Sequence, residues 1–480
     1  MKKLLSLLFI VPLFSLMGCN NSGPDLSGYA PEIRTAIKDF VNEYKNQDNA
    51  YVVTDFDNTT VIYDIAVQCS VYQLETMSFG MDVEELTDAL STSLELDDTM
   101  TNYIGDITSA YTYLIEDYGG FTPNGVAEDQ LDELHNDIYW QEFATKMKCL
   151  YTYVEDNVDD ILACEWIMYW YSGMSEQEVY NMFKHSCEKY QYVDTYKETW
   201  TSPESITSKM GVTSCSFILG CSVASSVKNM LKYYSDNYID TWVCSASHVD
   251  GVRGAVDAYD LSSYITGVIG MTQKMEEGKF IPVYDYETGY PYINKGNGNW
   301  EKLNTPIKAR PSREGKVTSI KNALVTRYNA SPLAGFMDSS GDFNFCTEFA
   351  DMKMVICYNR ADRKITDGGG LVAIAAMYQK NSGLDLKSAN KKGDTLYLLQ
   401  GRDENGKRSL RNSNYTLKYQ ESSEKLYANE DNYALHGYLA LHQLSIENFF
   451  NTFVIKTPSE QSVIGVKYGY LSSYAGYHSS

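Results

Sequence analysis

The chain has 480 residues, 44% hydrophobic and 21% charged, with 40 Lys and Arg against 63 Asp and Glu and a formal net charge of −23. The composition is that of a globular protein, and the length predicts two or more structural units. The acidic balance excludes a general nucleic-acid binder, which needs a basic footprint to displace counterions. It also obliges any anion site to be built from a local donor cluster or a bound cation.

Residues 1–18 read as a targeting segment: Lys2 and Lys3 precede an apolar run from Leu4 to Met17. Leu16-Met17-Gly18-Cys19 resembles a bacterial lipobox. It implies lipid on Cys19 and residence in the bacterial cell envelope. Contact with the membrane is expected through that lipid alone, because no later stretch reaches the ~18 apolar residues of a span. Nine further cysteines are an odd number without a CxxC pair, which argues against a metal cluster. Residues 19–48 read as a linker and one amphipathic helix carrying Ile33, Ile37, Phe40 and Val41. Tyr51 to Thr54 is a short strand. Residues 69–235 are mostly helical, with apolar spacing over 83–94, 131–154 and 161–171. Ser175 and Glu178 form a capping box, and a last helix face carries Val227, Met230, Leu231 and Tyr234. The strand at 239–244 follows.

Residues 268–284 read as a hairpin or paired strands turning near Glu277 and Gly278, 315–327 as a helix, and 332–337 and 353–358 as strands. Strands alternating with helices predict a parallel α/β sheet. The expected division is a core of 49–68 plus 236–364, a helical cap over 69–235 inserted after the first strand, and a mixed α+β extension over 365–480 packed on the core.

Four positions line up near the C-terminal ends of these strands, where open α/β sheets hold ligands. Asp55 and Asp57 follow YVVT, Ser245 follows DTWVC, Lys316 opens a helix, and Asp338 and Asp342 follow PLAGFM. Singly, each has a plain structural meaning: a satisfied serine, a solvated lysine, or a helix N-cap. Two carboxylates at the end of a buried strand are costly unless paired or bound to a cation.

In this order the residues resemble the haloacid dehalogenase superfamily of phosphohydrolases over 49–68 and 236–360. The resemblance implies a Rossmann-like sheet and a Mg²⁺-dependent phosphoric monoester hydrolase. Asp55 would be the nucleophile and Asp57 the general acid and base. Asp55 and Asp338 would share the Mg²⁺, with the main-chain carbonyl of Asp57 and, directly or through water, Asp342. Ser245 would bind phosphoryl oxygens, Lys316 would neutralise the phosphate and Asp55, and Thr59 would secure the turn beside the substrate.

The stretches DFDNTTVIYDI, VCSASHVDGVR and REGKVTSI are similar to bacterial phosphorylcholine phosphatases and their phosphoserine phosphatase relatives, through Asn58, Tyr63, Asp64 and the Ser245 to Ser247 segment. This implies a small phosphorylated substrate, phosphocholine first and phosphoserine or another metabolite as the alternative, with Ser247 among its contacts. Choline recognition needs an aromatic cage. CEWIMYWYSGM offers Glu165, Trp166 and Trp170, although their helical spacing also fits a packed core. Arg253 reads as an exposed helix residue, and His248 as a candidate pocket residue. A tyrosine-rich surface lipoprotein that binds without catalysis is the reading from another class.

Overall fold

The computed structural model describes residues 23–296, 298–361, 368–426, 437 and 439–454. The targeting segment and Cys19 lie outside the described residues. The protein is a mixed α/β structure built on an eight-stranded sheet. Across the sheet the strands are Leu396–Gln400, Met354–Tyr358, Ala334–Met337, Tyr51–Thr54, Asp240–His248, Gly267–Met271, Tyr292–Asn294 and Trp300–Lys302. The first six are parallel, and the last two are joined on through antiparallel pairings.

The sequence of the central strand explains its place. All four residues of Tyr-Val-Val-Thr are buried, as expected of a parallel strand covered on both faces. Alternate residues divide between two cores. Val52, Val243, Phe336, Ile356 and Leu398 face one core, and Tyr51, Val53, Trp242, Met337 and Val355 face the other. The first core includes the Pro31–Tyr44 helix and the long segment between the Tyr51 and Asp240 strands. The second is closed by helices Glu314–Ile320, Ser340–Glu348 and Gly368–Asn381.

That long segment is helical, as its apolar spacing predicted, with three differences. The predicted 131–154 helix is broken at Asp137, whose carboxylate caps Tyr139 N (2.7 Å) and starts a new helix, Ile138–Asn157. The 161–171 run is a helix, Asp160–Trp166, tightening into a 3₁₀ turn, Ile167–Tyr171. An antiparallel hairpin, Tyr196–Thr201 with Ser214–Leu219, interrupts the expected mostly helical stretch. Its cross-strand pairs of Thr, Ser, Trp and Cys suit a pleated surface.

Two further boundaries are corrected. Residues 267–271 belong to the main sheet, and the hairpin is confined to Gln273–Glu276 and Lys279–Tyr284. Its turn is at Glu277 and Gly278, both with positive φ (49° and 80°). The boundary expected at 364 does not separate the extension from the sheet, because Leu396–Gln400 is one edge strand of the sheet itself. No helix among the described residues is long and apolar enough to cross a membrane.

Candidate functional site

Sheet register brings the separated motifs together. Thr54 lies opposite Phe336 on one side and Val243 on the other. Asp55, which follows Thr54, therefore stands beside the turn that begins at Asp338, and its N–H donates to Phe336 O (3.1 Å). The chain then doubles back through a compact turn. Asn58 occupies the left-handed region (φ 57°), which Asn tolerates better than most residues, and its N–H bonds Tyr63 O (2.9 Å). Arg402, just beyond the edge strand, clamps this turn from outside by donating to Asn58 O (2.8 Å).

Asp55, Asp338 and Asp342 are all buried and present oxygens within 4.8 Å of one another. Lys316 Nζ bonds Asp55 Oδ1 (2.6 Å) and Asp342 Oδ1 (2.5 Å). Arg360 Nη1 reaches Asp338 Oδ2 (3.1 Å). The Thr59 hydroxyl lies 3.2 Å from Asp55 Oδ2 and 3.3 Å from Asp338 Oδ1. Three carboxylates against two cations leave a residual negative charge on hard oxygen donors, a set suited to a divalent metal ion.

Asp57 faces a different environment. Its Oδ1 accepts from Ile65 N (2.7 Å), and its Oδ2 accepts from Ser247 Oγ (2.7 Å) and Ser245 Oγ (3.3 Å). Burial, reinforced by the charges of Asp64 and Asp55, holds its carboxyl well above the usual carboxylate range. Asp55 is pushed up to about 6, by burial first and by Asp338, with Lys316 opposing. Both carboxyls are raised by burial, and the two differ in their partners: Lys316 opposes the shift at Asp55, whereas Asp57 has serine hydroxyls and the Ile65 N–H.

These groups open onto a cavity of about 1010 Å³ between the C-terminal ends of the central strands and the helical segment. Asp55, Asp57, Ser247, Lys316, Asp338 and Asp342 line it. Five expected residues do not. Thr59 is spent on Asp55 and Asp338 rather than on a ligand. Trp166 and Trp170 are fully buried and pack edge to face (5.7 Å), and Trp166 Nε1 bonds Leu90 O (3.1 Å). Glu165 is buried against Arg310 (3.0 Å) and accepts from Tyr169 OH (2.7 Å). The cavity instead receives Cys164, Ile167, Met168 and Tyr171, the opposite stripe of the same segment. The aromatic spacing marks the core face. Ser245 is fully buried below the cavity wall, accepting from Ser247 N (3.0 Å) and facing Asp57. Its strand continues to His248 with a register shift after Cys244, so Ser245 does not stand at an open strand end. The carboxylate of Asp57 is not among the oxygens grouped within 4.8 Å of one another.

Sequence reading missed Arg360, Arg402, Arg313 and Lys148. Arg360 and Arg402 each lie two residues beyond a sheet strand, so the strand-end rule contained their signal. Arg313 lines the cavity at a strained φ of 53°, its N–H tied to Gly341 O (2.8 Å). Arg253 is buried rather than exposed, paired with Asp250 and stacked on Tyr292 (3.8 Å).

His248 lines the cavity but stays neutral. Burial, with Arg253 next, pushes its imidazole down to about 3, against a smaller upward pull from Glu176. The unfolded chain takes up this proton near pH 6.5 and the folded chain does not. The resulting stability is complete above pH ~6.5 and is lost as pH falls toward 3. His248→Asn keeps an acceptor for Asp250 N, which His248 Nδ1 now provides (3.2 Å). Between pH 6.5 and 5, urea unfolding should show the wild type losing about 2 kcal/mol more than this variant.

No family model matches the chain, and no curated protein matches it. Among solved structures, the chain is similar to the crystal structure of a conserved functionally unknown protein from Anaerococcus prevotii DSM 20548. The TM-score is 0.62 at 22% identity, over 82% of this chain and 98% of that one. At this identity the likeness is one of fold, a mixed α/β architecture around a large, mostly parallel sheet.

Proposed function

We propose that the protein is a metal-dependent phosphomonoesterase of the haloacid dehalogenase type, acting on a small phosphorylated metabolite through an aspartyl phosphate. One observation carries this reading. Two carboxylates two residues apart share a cavity, with Lys316 on Asp55 and a raised proton affinity on Asp57.

In the first half-reaction an ionised Asp55 oxygen forms a bond to phosphorus as the ester P–O bond breaks. Asp57 gives its proton to the departing oxygen. Lys316 orients Asp55 and disperses the charge of the phosphoryl group. In the second half-reaction Asp57 accepts a proton from water as the water oxygen bonds to phosphorus. The P–O bond to Asp55 breaks, inorganic phosphate leaves, and both carboxyl groups return to their starting states. Asp55, Asp338 and Asp342 would hold Mg²⁺, which supplies Lewis-acid charge at the phosphoryl oxygens. Ser247 and Ser245 keep Asp57 aimed into the cavity.

The residues offered as a choline cage, Glu165, Trp166 and Trp170, lie in the core and not in the cavity lining. The general reading is tested by hydrolysis of p-nitrophenyl phosphate with and without Mg²⁺. Absence of turnover in both, with a folded protein, would return the chain to the class of binding proteins. Metal binding has its own readout. At about 100 times its Kd, Mg²⁺ should stabilise the wild type by about 2.7 kcal/mol. Asp338→Asn, which removes one charge of the triad, should lose most of that gain in thermal unfolding.

A further inference from the structure

Lys148 is a buried cation in the cavity wall that the proposed chemistry does not use. It projects from helix Ile138–Asn157, is 2% exposed, and lines the same cavity as Asp55 and Asp57. Its Nζ donates to Ser70 Oγ (2.9 Å). It lies 4.9 Å from the ring centre of Tyr151 and 5.4 Å from that of Phe217. Among the described residues no carboxylate oxygen comes within 4.0 Å of it. Asp64 and Glu155 act on it only from farther away, and Asp64 is already occupied by Ala66 N (2.8 Å) and Val67 N (3.0 Å). The contrast with Lys146, two residues earlier, is direct. That buried lysine is fully paired, with Asp106 (2.8 Å) and Glu142.

A buried ammonium with three donors and one hydroxyl acceptor is poorly compensated. Burial accordingly pulls Lys148 down to about 8, which leaves it mostly charged near neutrality. What it lacks is an anion, and the cavity is where one can arrive. A quaternary ammonium brings the same sign of charge and no acceptor.

We infer that Lys148 is the specificity residue of this cavity, and that the preferred ligand is a phosphomonoester whose leaving group carries a second anion, a carboxylate or a second phosphate. The term leaving group rests on the phosphatase reading, whereas the anion preference rests on Lys148 itself.

Calorimetry on Asp55→Asn protein, with and without Lys148→Gln, separates the two. The probes are 3-phosphoglycerate, fructose 1,6-bisphosphate, phosphocholine and p-nitrophenyl phosphate. At least one of the first two should bind about tenfold or more tighter than phosphocholine. Lys148→Gln should erase that margin, and Lys148→Arg should retain it. Which of the two anionic probes binds tells a carboxylate from a second phosphate. The inference is overturned if phosphocholine binds as tightly, if none of the four binds, or if Lys148→Gln weakens all four by one factor. Should the Gln variant not fold, the margin in the Lys148 protein alone decides. If wild type hydrolyses none of the probes while the Lys148-dependent margin persists, the phosphatase reading falls and the anion site stands. If it hydrolyses them without that margin, the reverse holds.

Discussion

Asp55→Asn should abolish hydrolysis of p-nitrophenyl phosphate, by about 10⁴-fold or more in kcat, while leaving a folded protein. The amide is close to isosteric but is a far weaker nucleophile, and Lys316 keeps its second partner, Asp342 (2.5 Å). The companion variant Asp57→Asn should behave differently. It removes the proton donor, a loss of about 10²–10⁴-fold where the leaving oxygen needs that proton. An alkyl phosphate such as glycerol 3-phosphate should therefore suffer more than p-nitrophenyl phosphate, whose leaving group departs readily as an anion. Steady-state kinetics on the two esters measures this. Equal losses on both for Asp57→Asn would mean that the two carboxylates do not divide the work as their environments suggest.

The second large effect is expected at Lys316. Lys316→Met should cost about 3–5 kcal/mol in unfolding free energy, because it strands Asp55 and Asp342 as buried carboxylates without their shared cation. Activity should fall with it. A double variant, Lys316→Met with Asp342→Asn, removes one of the stranded charges and should regain part of the stability while remaining inactive. Recovery of both together would show that Lys316 is only a structural counter-ion. Chemical denaturation alongside kinetics distinguishes these outcomes.

The parts of the site legible in the sequence are those that the strand ends dictate. Asp55 and Asp338 follow strands whose apolar runs are unmistakable, and parallel register then sets them side by side. Ser245 was misplaced because a strand's true end is not visible in its residues. Three more residues continue the strand past an irregularity, and Ser245 ends up supporting Asp57 from below. Trp166 and Trp170 illustrate a different limit. Helical spacing identifies two stripes on one segment but not which faces a cavity, and large aromatic rings are drawn to the core. Lys148 was invisible for the opposite reason, since a lysine in a helix ordinarily reaches solvent. The Leu396–Gln400 strand is an apolar run in a stretch whose surroundings read as irregular, so its membership of the sheet depends on partners remote in sequence.

The strand order carries a consequence for how the protein is made. The central Tyr51–Thr54 strand pairs with Asp240–His248 and with Ala334–Met337, and the edge strand of the sheet begins at Leu396. Its neighbours are synthesised long after it, and Arg402, which clamps the Asn58 turn, later still. Contacts of such long sequence separation give a high contact order, and their loop-closure cost falls before any pairing energy is returned. The nascent chain can form its local helices early, but the turn through Asp55 and Asn58 acquires its final geometry only when the chain has emerged at least as far as Arg402. Folding is thus expected to be slow and late, with Asp55 and Asp338 brought together among its last events.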